Sequence, residues 1–159
     1  MNHEKGQSLL EVIIAMTVGI LVVTALVFAV IFSLRNANFA KNSAQATKLA
    51  QEGIERVRTL RDRDSRVDYT KDDGSVTEKF SDLWPISFDC PANCYFYFNT
   101  LNILTGDSIG RFEPISSNFQ RQFQIKNEGT DQKEVTVVVQ WSDFAGEHQS
   151  QLTTILRKL

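Results

Sequence analysis

Apolar positions fall in two regimes along the chain. From Val12 to Leu34 they are continuous: there is no charged residue, no His, no Asn or Gln and no Pro. A helix of that length rises about 35 Å, enough to cross a hydrocarbon core of about 30 Å with some tilt. From residue 35 to 62 the pattern becomes periodic. Ala46, Leu49, Ala50, Gly53, Ile54, Val57 and Leu60 recur at steps of three and four, and Lys48, Gln51, Glu52, Glu55, Arg56, Arg58 and Arg61 occupy the other face. The two stretches predict one long helix over 8–61, its first half set in an apolar medium and its second half docked on a sheet.

Beyond residue 82 the period shifts to two. Residues 84–89 and 95–98 read as short aromatic-rich strands, and 101–118 as mixed turns, including Thr105-Gly106-Asp107 and Gly110. Phe119, Phe123 and Ile125 alternate with Gln120, Gln122 and Gln124. Val135, Val137, Val139 and Trp141 share one side of the next strand, and Leu152 and Ile155 supply apolar contacts to a closing strand over 148–156. An antiparallel meander with one buried face follows, covered by the amphipathic half of the helix. The expected class is α+β. Residues 62–82, rich in Asp, Ser, Thr and Lys with Asp72-Asp73-Gly74 at their centre, read as a surface linker. The acids there lack the spacing of a calcium loop.

Composition adds limits. Seventeen basic and nineteen acidic residues give a net charge of -2, which does not favour nucleic acid as a partner. The arginines at 56, 58, 61, 63 and 66 are interleaved with Glu52, Glu55, Asp62 and Asp64, and pairs such as Glu52–Arg56 and Glu55–Arg58 suit a solvated helix face. Cys90 and Cys94 bracket Pro91-Ala92-Asn93 and suit a small disulfide-closed turn. Zinc would need two further ligands and the only histidines are His3 and His148, while a redox pair has two residues between its cysteines. His148 stands beside Glu147, near Ser150 on the same strand, and forms no triad with them. No phosphate loop or other catalytic motif is present. The chain reads as a non-enzyme without a cofactor or metal.

The remaining chemistry lies at the head. Lys5-Gly6-Gln7-Ser8-Leu9-Leu10-Glu11 opens the apolar run. A secretory signal would have a shorter apolar core and a small-residue cleavage site behind it, so an uncleaved spanning helix is expected. A carboxylate at the centre of such a helix costs roughly 3 kcal/mol, less near its edge. Glu11 either snorkels to the headgroups, favoured by the positive helix N-terminus, or meets a partner. A cut after Gly6 would create one: an α-amine on Gln7, presented by a neighbouring copy.

Basic residue, Gly, Glu five residues on, and a spanning helix resemble the class III signal of type IV pilins and type II secretion pseudopilins. Gln7 stands where many of that family carry Phe. The Val-x-Val-x-Val-x-Trp strand and closing hairpin are similar to minor pilins of the PilV and GspI kind. The resemblance implies a type IV pilin-like fold, its long N-terminal helix packed on an antiparallel sheet. It also implies cleavage between Gly6 and Gln7 by prepilin peptidase, N-methylation of Gln7, and an assembly charge on Glu11. The organisation expected is a leader over 1–6, a transmembrane and filament-core half-helix over 7–34, an amphipathic half-helix over 35–62 and a globular sheet domain with its linker loop over 63–159. Partners implied are prepilin peptidase, other pilin or pseudopilin subunits and an inner-membrane assembly platform. The cysteines place the distal domain outside the cytoplasm. The rival expectation is a single-pass anchored binding protein, such as an adhesin or DNA-uptake component.

Overall fold

The structure is a computed structural model; it describes residues 4–71 and 74–159, with side chains from residue 9 onward. Its elements are α1 (Glu4–Asp62), β1 (Val67–Thr70), β2 (Val76–Thr77), a 3₁₀ turn (Phe80–Leu83), β3 (Tyr95–Phe98), β4 (Leu104–Asp107), β5 (Glu113–Pro114), β6 (Phe119–Asn127), β7 (Gln132–Asp143) and β8 (Gly146–Arg157). The chain divides into two compact units, Met1–Lys41 and Asn42–Leu159.

The first unit is the apolar part of α1. The helix is uninterrupted because no proline lies within it, and it starts four residues earlier than the periodicity predicts. Its large apolar side chains from Leu9 to Leu34 are all exposed, from 39% for Ile31 to 69% for Leu21. The hydroxyls of Thr17 and Thr24 donate to the carbonyls of Ile14 and Ile20, both at 2.8 Å. These back-bonds hide polar atoms that an apolar surrounding could not satisfy.

In the second unit the helix has one buried stripe. Ala46, Ala50, Gly53, Ile54 and Val57 are buried, with Leu49 and Leu60 packed at the margin. Small residues set the approach: a Cβ on Gly53 would lie 2.9 Å from Val137 Cγ1 and 3.2 Å from the Phe123 ring. A mid-helix glycine costs about 1 kcal/mol against alanine, and contact with the sheet explains it here. The helix ends in a Schellman arrangement. Asp64 adopts φ +46°, its N–H donates to Arg61 O at 3.1 Å, and Ser65 N–H donates to Leu60 O at 2.9 Å.

The sheet has eight strands in the order β2-β1-β4-β3-β6-β7-β8, with β5 paired to β6. All its pairings are antiparallel except β1–β4, which is parallel with Val67 beside Leu104. The long β6–β7–β8 ladder places Phe123 beside Val137 and Val137 beside Leu152, so the inner face continues under the helix.

Several expectations need correction. Residues 62–82 are not a plain linker: β1, β2 and the start of the 3₁₀ turn lie there, with Val67, Tyr69, Thr77 and Phe80 buried. Polar composition hid a period-two pattern in which only alternate residues needed to be apolar. Asp72 and Asp73 fall outside the described residues; Gly74 at φ +81° sits in the connection, whose Lys71 N–H reaches Ser75 O at 2.8 Å. Residues 84–89 form no strand, although Trp84 and Phe88 are buried. Pro85 has no N–H for a ladder, and Trp84 and Ile86 donate into turn bonds instead. Gly106 lies within β4 rather than in a turn; a Cβ there would meet the Tyr69 ring at 2.3 Å. Gly marks a close approach at this position.

One face assignment also changes. Leu156, 1% exposed, is the inward residue of β8, and Ile155, 52% exposed, points outward. The β7 register fixes this: the buried Val135 and Val137 face Thr154 and Leu152, and Lys133 faces Leu156. Gln122 keeps the face opposite Phe123 that the alternation predicts, yet it is buried there.

Candidate functional site

Helical backbone runs through Gly6, Gln7 and Glu11. Gln7 and Glu11 are four residues apart, neighbours on one helix face about 6 Å along the axis. Glu11 is exposed, and the helix beyond it carries no charge as far as Leu34. Both threonines in that stretch are bonded to their own backbone. Glu11 is therefore the acid at the edge of an otherwise uniform apolar surface. His3 lies outside the described residues.

Cys90 and Cys94 are joined by a disulfide with Cα atoms 5.2 Å apart. The Cys90–Pro91 peptide is cis. Asn93 organises the loop: its Oδ1 accepts the Asp89 N–H at 2.6 Å, and its Nδ2 donates to Ser87 O at 3.2 Å. Cys94 O accepts the Ile125 N–H at 2.9 Å, which ties the loop to β6.

The arginines of the helix end are engaged locally. Arg58 meets Glu55 at 2.6 Å, Arg61 meets Asp62 at 2.7 Å and Arg66 meets Asp68 at 3.0 Å. The predicted Glu52–Arg56 pair is replaced: Glu52 lies 4.0 Å from Lys48, and Arg56 reaches Glu113 at 3.6 Å with its guanidinium 4.1 Å from the centre of the Phe98 ring. Arg56 is thus drawn off the solvated face. Burial lowers its pKa, and the neighbouring Arg121 charge adds to that.

Sequence reasoning missed Arg121. It is 2% exposed and lies on the inner face of β6 between Phe119 and Phe123. Both its Nη2 and Nε donate to Glu113, at 3.1 to 3.4 Å, and Nη1 donates to Leu49 O on the helix at 3.2 Å. The signal was available, because the alternation that buries Phe119 and Phe123 also turns residue 121 inward.

His148 stacks on Trp141 with ring centres 5.5 Å apart, and its Nε2 lies 3.0 Å from Asp143 Oδ1. Ser150 Oγ lies 3.3 Å from Thr47 Oγ1 on the helix. These contacts lock a hairpin and a helix–sheet seam, so both side chains have structural partners. Asp143 is held below the usual carboxylate range, first by the Ala145 N–H that caps the β7–β8 turn.

The strongest chemical feature is thus the head of α1. Compared with protein-family models, residues 1–33 match the prokaryotic N-terminal methylation motif. The chain carries a type IV pilin-like signal. The match covers Gly6, Gln7 and Glu11 and most of the apolar run, and it ends well before the sheet. No curated protein and no solved structure matches the chain. The α+β layout is itself pilin-like: a long N-terminal helix, apolar first and amphipathic after, with its second part packed on a mostly antiparallel sheet. The one helix long and apolar enough to cross a membrane lies directly behind the pilin-like signal, among the described residues. Signal and helix together fit a single-pass membrane anchor. A signal of this type implies processing by prepilin peptidase and assembly with other pilins.

Proposed function

We propose that this protein is a structural subunit, a minor pilin or pseudopilin, of a type IV pilus or type II secretion system. It waits in the inner membrane with its distal domain outside the cytoplasm. Residues 1–6 are the leader, 7–34 the membrane and filament-core segment, 35–62 the amphipathic half-helix and 63–159 the globular part. Prepilin peptidase cuts after Gly6, whose missing side chain leaves the backbone open to attack, and Gln7 becomes the methylated N-terminus. An assembly platform in the membrane then adds the subunit to a filament. The work is done by packing, with no catalytic step in this chain.

The observation that carries this reading is the methylation motif placed directly on a helix whose large apolar side chains from Leu9 to Leu34 are exposed. Such a surface is stable only in lipid or against other helices. In a helix bundle Glu11 would be an unpaired buried charge, costing several kcal/mol. A methylated amine at Gln7 of a neighbouring subunit would neutralise it. Cleavage creates that amine, so Glu11 finds its partner only after processing.

The test is to co-express the chain with a prepilin peptidase and determine the mature N-terminus by mass spectrometry. The expected product begins at N-methylated Gln7; a product that keeps Met1 would favour an anchored binding protein instead. Glu11→Ala is expected to be cleaved normally and to enter filaments at a tenth of the native level or less. Undiminished incorporation would remove the charge-pair role.

A further inference from the structure

The outer face of the β6–β8 ladder carries a two-dimensional array of primary amides. The register sets Gln120 beside Gln140 and Gln140 beside Gln149; in the next row Gln122 and Gln151 flank Val138. Cross-strand neighbours lie about 5 Å apart and residues two along a strand about 7 Å apart. Tyr95 of β3 continues the array beside Gln124. Over this face folds the segment that follows β4, and between them lies a pocket of about 260 Å³. Tyr95, Phe112, Gln122, Gln140, Gln149 and Gln151 line it, and buried Val138 supplies an apolar patch. Among the described residues, none that lines it is charged.

The wall of this pocket is held in place. Gln122 is 3% exposed and its Nε2 donates to the carbonyls of Gly110 and Arg111. The Arg111 N–H donates to Asp107 Oδ2 at 2.7 Å, and its guanidinium donates to Tyr97 Oη at 3.4 Å. Gly110, at φ +77°, supplies the left-handed turn that these bonds require. A segment fixed this way nevertheless leaves Ile109 81% exposed at the pocket mouth. Preorganised polar groups beside an exposed apolar lip are the features of a surface built to receive something.

The lining selects the ligand class. A carboxamide is neutral and both donates and accepts, which matches hydroxyl groups that do the same. A charged ligand would lose hydration here without gaining a counter-charge, and an apolar one would strip water from amides without replacing it. Aromatic rings at Tyr95 and Phe112 suit the C–H face of a sugar ring. An extended peptide would seek a strand edge, where backbone groups are open, rather than the face of a paired ladder. We infer that this pocket binds an uncharged carbohydrate, the end of a neutral oligosaccharide, with its hydroxyls on Gln140, Gln149 and Gln151. The site belongs to the distal unit and does not depend on processing at Gly6.

The full chain, held in micelles of a detergent without a sugar headgroup and labelled at glutamine side-chain nitrogens, provides the test. It is titrated with cellotetraose and with N-acetylated chitotetraose, and a sulfated heparin tetrasaccharide serves as the charged comparison. A neutral sugar should give saturable shifts of the Gln140, Gln149 and Gln151 amides, and the sulfated one should give none. Gln140→Ala should weaken binding about tenfold, the loss of one good polar contact, while the Gln122 resonances report that the pocket wall is intact. Gln149→Ala, at an exposed position, provides a second variant should Gln140→Ala disturb folding. Absence of shifts with both neutral sugars at millimolar concentration overturns the assignment. So does binding by both variants as tight as by the native chain, or preference for the sulfated sugar. Protection of these amides only on filament formation also overturns it, in favour of a protein contact.

Discussion

Tyr69 occupies the space that a side chain at position 106 would need. Its ring is buried between Phe88 and Phe96, with centroids 5.3 and 5.7 Å away, so it cannot swing aside. Gly106→Ala is therefore expected to destabilise the distal unit by about 1–3 kcal/mol, the usual cost of overpacking, measured by chemical denaturation. Lys133 makes a second residue-scale prediction. It is 4% exposed, donates to Ile86 O and Asn127 Oδ1 and lies 4.7 Å from the Phe88 ring centre. Burial lowers its pKa from 10.5 to about 8. Below that value both folded and unfolded chains carry the proton, and the cost of burying the charge is fully present. As pH rises from about 8 towards 10.5, the folded chain loses its proton while the unfolded chain keeps it, so stability rises. Denaturation at pH 8 and pH 10 should show this gain in the native chain and a smaller one in Lys133→Met. Neither residue is conspicuous in the sequence: Gly106 sits in what reads as a turn, and Lys133 at the end of an alternating strand.

At the scale of elements, the helix–sheet seam is both apolar and ionic. Ala46, Ala50 and Gly53 bring the backbone of α1 close, and beside them Glu113 of β5 gathers Arg121 from β6 and Arg56 from α1. One carboxylate thus serves two guanidinium groups. Glu113→Ala should destabilise the distal unit by about 3–5 kcal/mol, because it strands a buried cation. The paired replacement Arg121→Met with Glu113→Leu should recover most of that loss, since an apolar pair of similar volume avoids the desolvation cost. Urea denaturation of both variants decides the matter; equal losses would mean that the ions contribute packing alone. The helix stripe and the three long strands were legible because their periods of 3.6 and 2 persist for several turns or residues. The short elements β1, β2, β4 and β5 were not, since two to four residues mixed with polar ones hold too little pattern, whereas the equally short β3 showed through its aromatic run Tyr95–Phe98.

For the whole molecule, the division at Asn42 predicts separable folding. A fragment over 42–159 contains the docked helix stripe, the eight strands and the disulfide. It should unfold cooperatively in water without detergent, with near-ultraviolet circular dichroism from its buried aromatic residues; a fragment that shows neither would assign the apolar helix a role in folding. The N-terminal methylation motif was readable because it is written in local sequence: one Gly, one acid at a fixed offset and an unbroken apolar run. The α+β class was readable for a related reason, since burial of one face writes its period into the chain. Tertiary structure alone decided the rest. The parallel β1–β4 pair, the Arg56–Glu113–Arg121 group and the glutamine-lined pocket each join residues far apart in sequence. No local pattern encodes such meetings, because they depend on strand order and register, which packing against the helix and between strands fixes only when the whole sheet is formed.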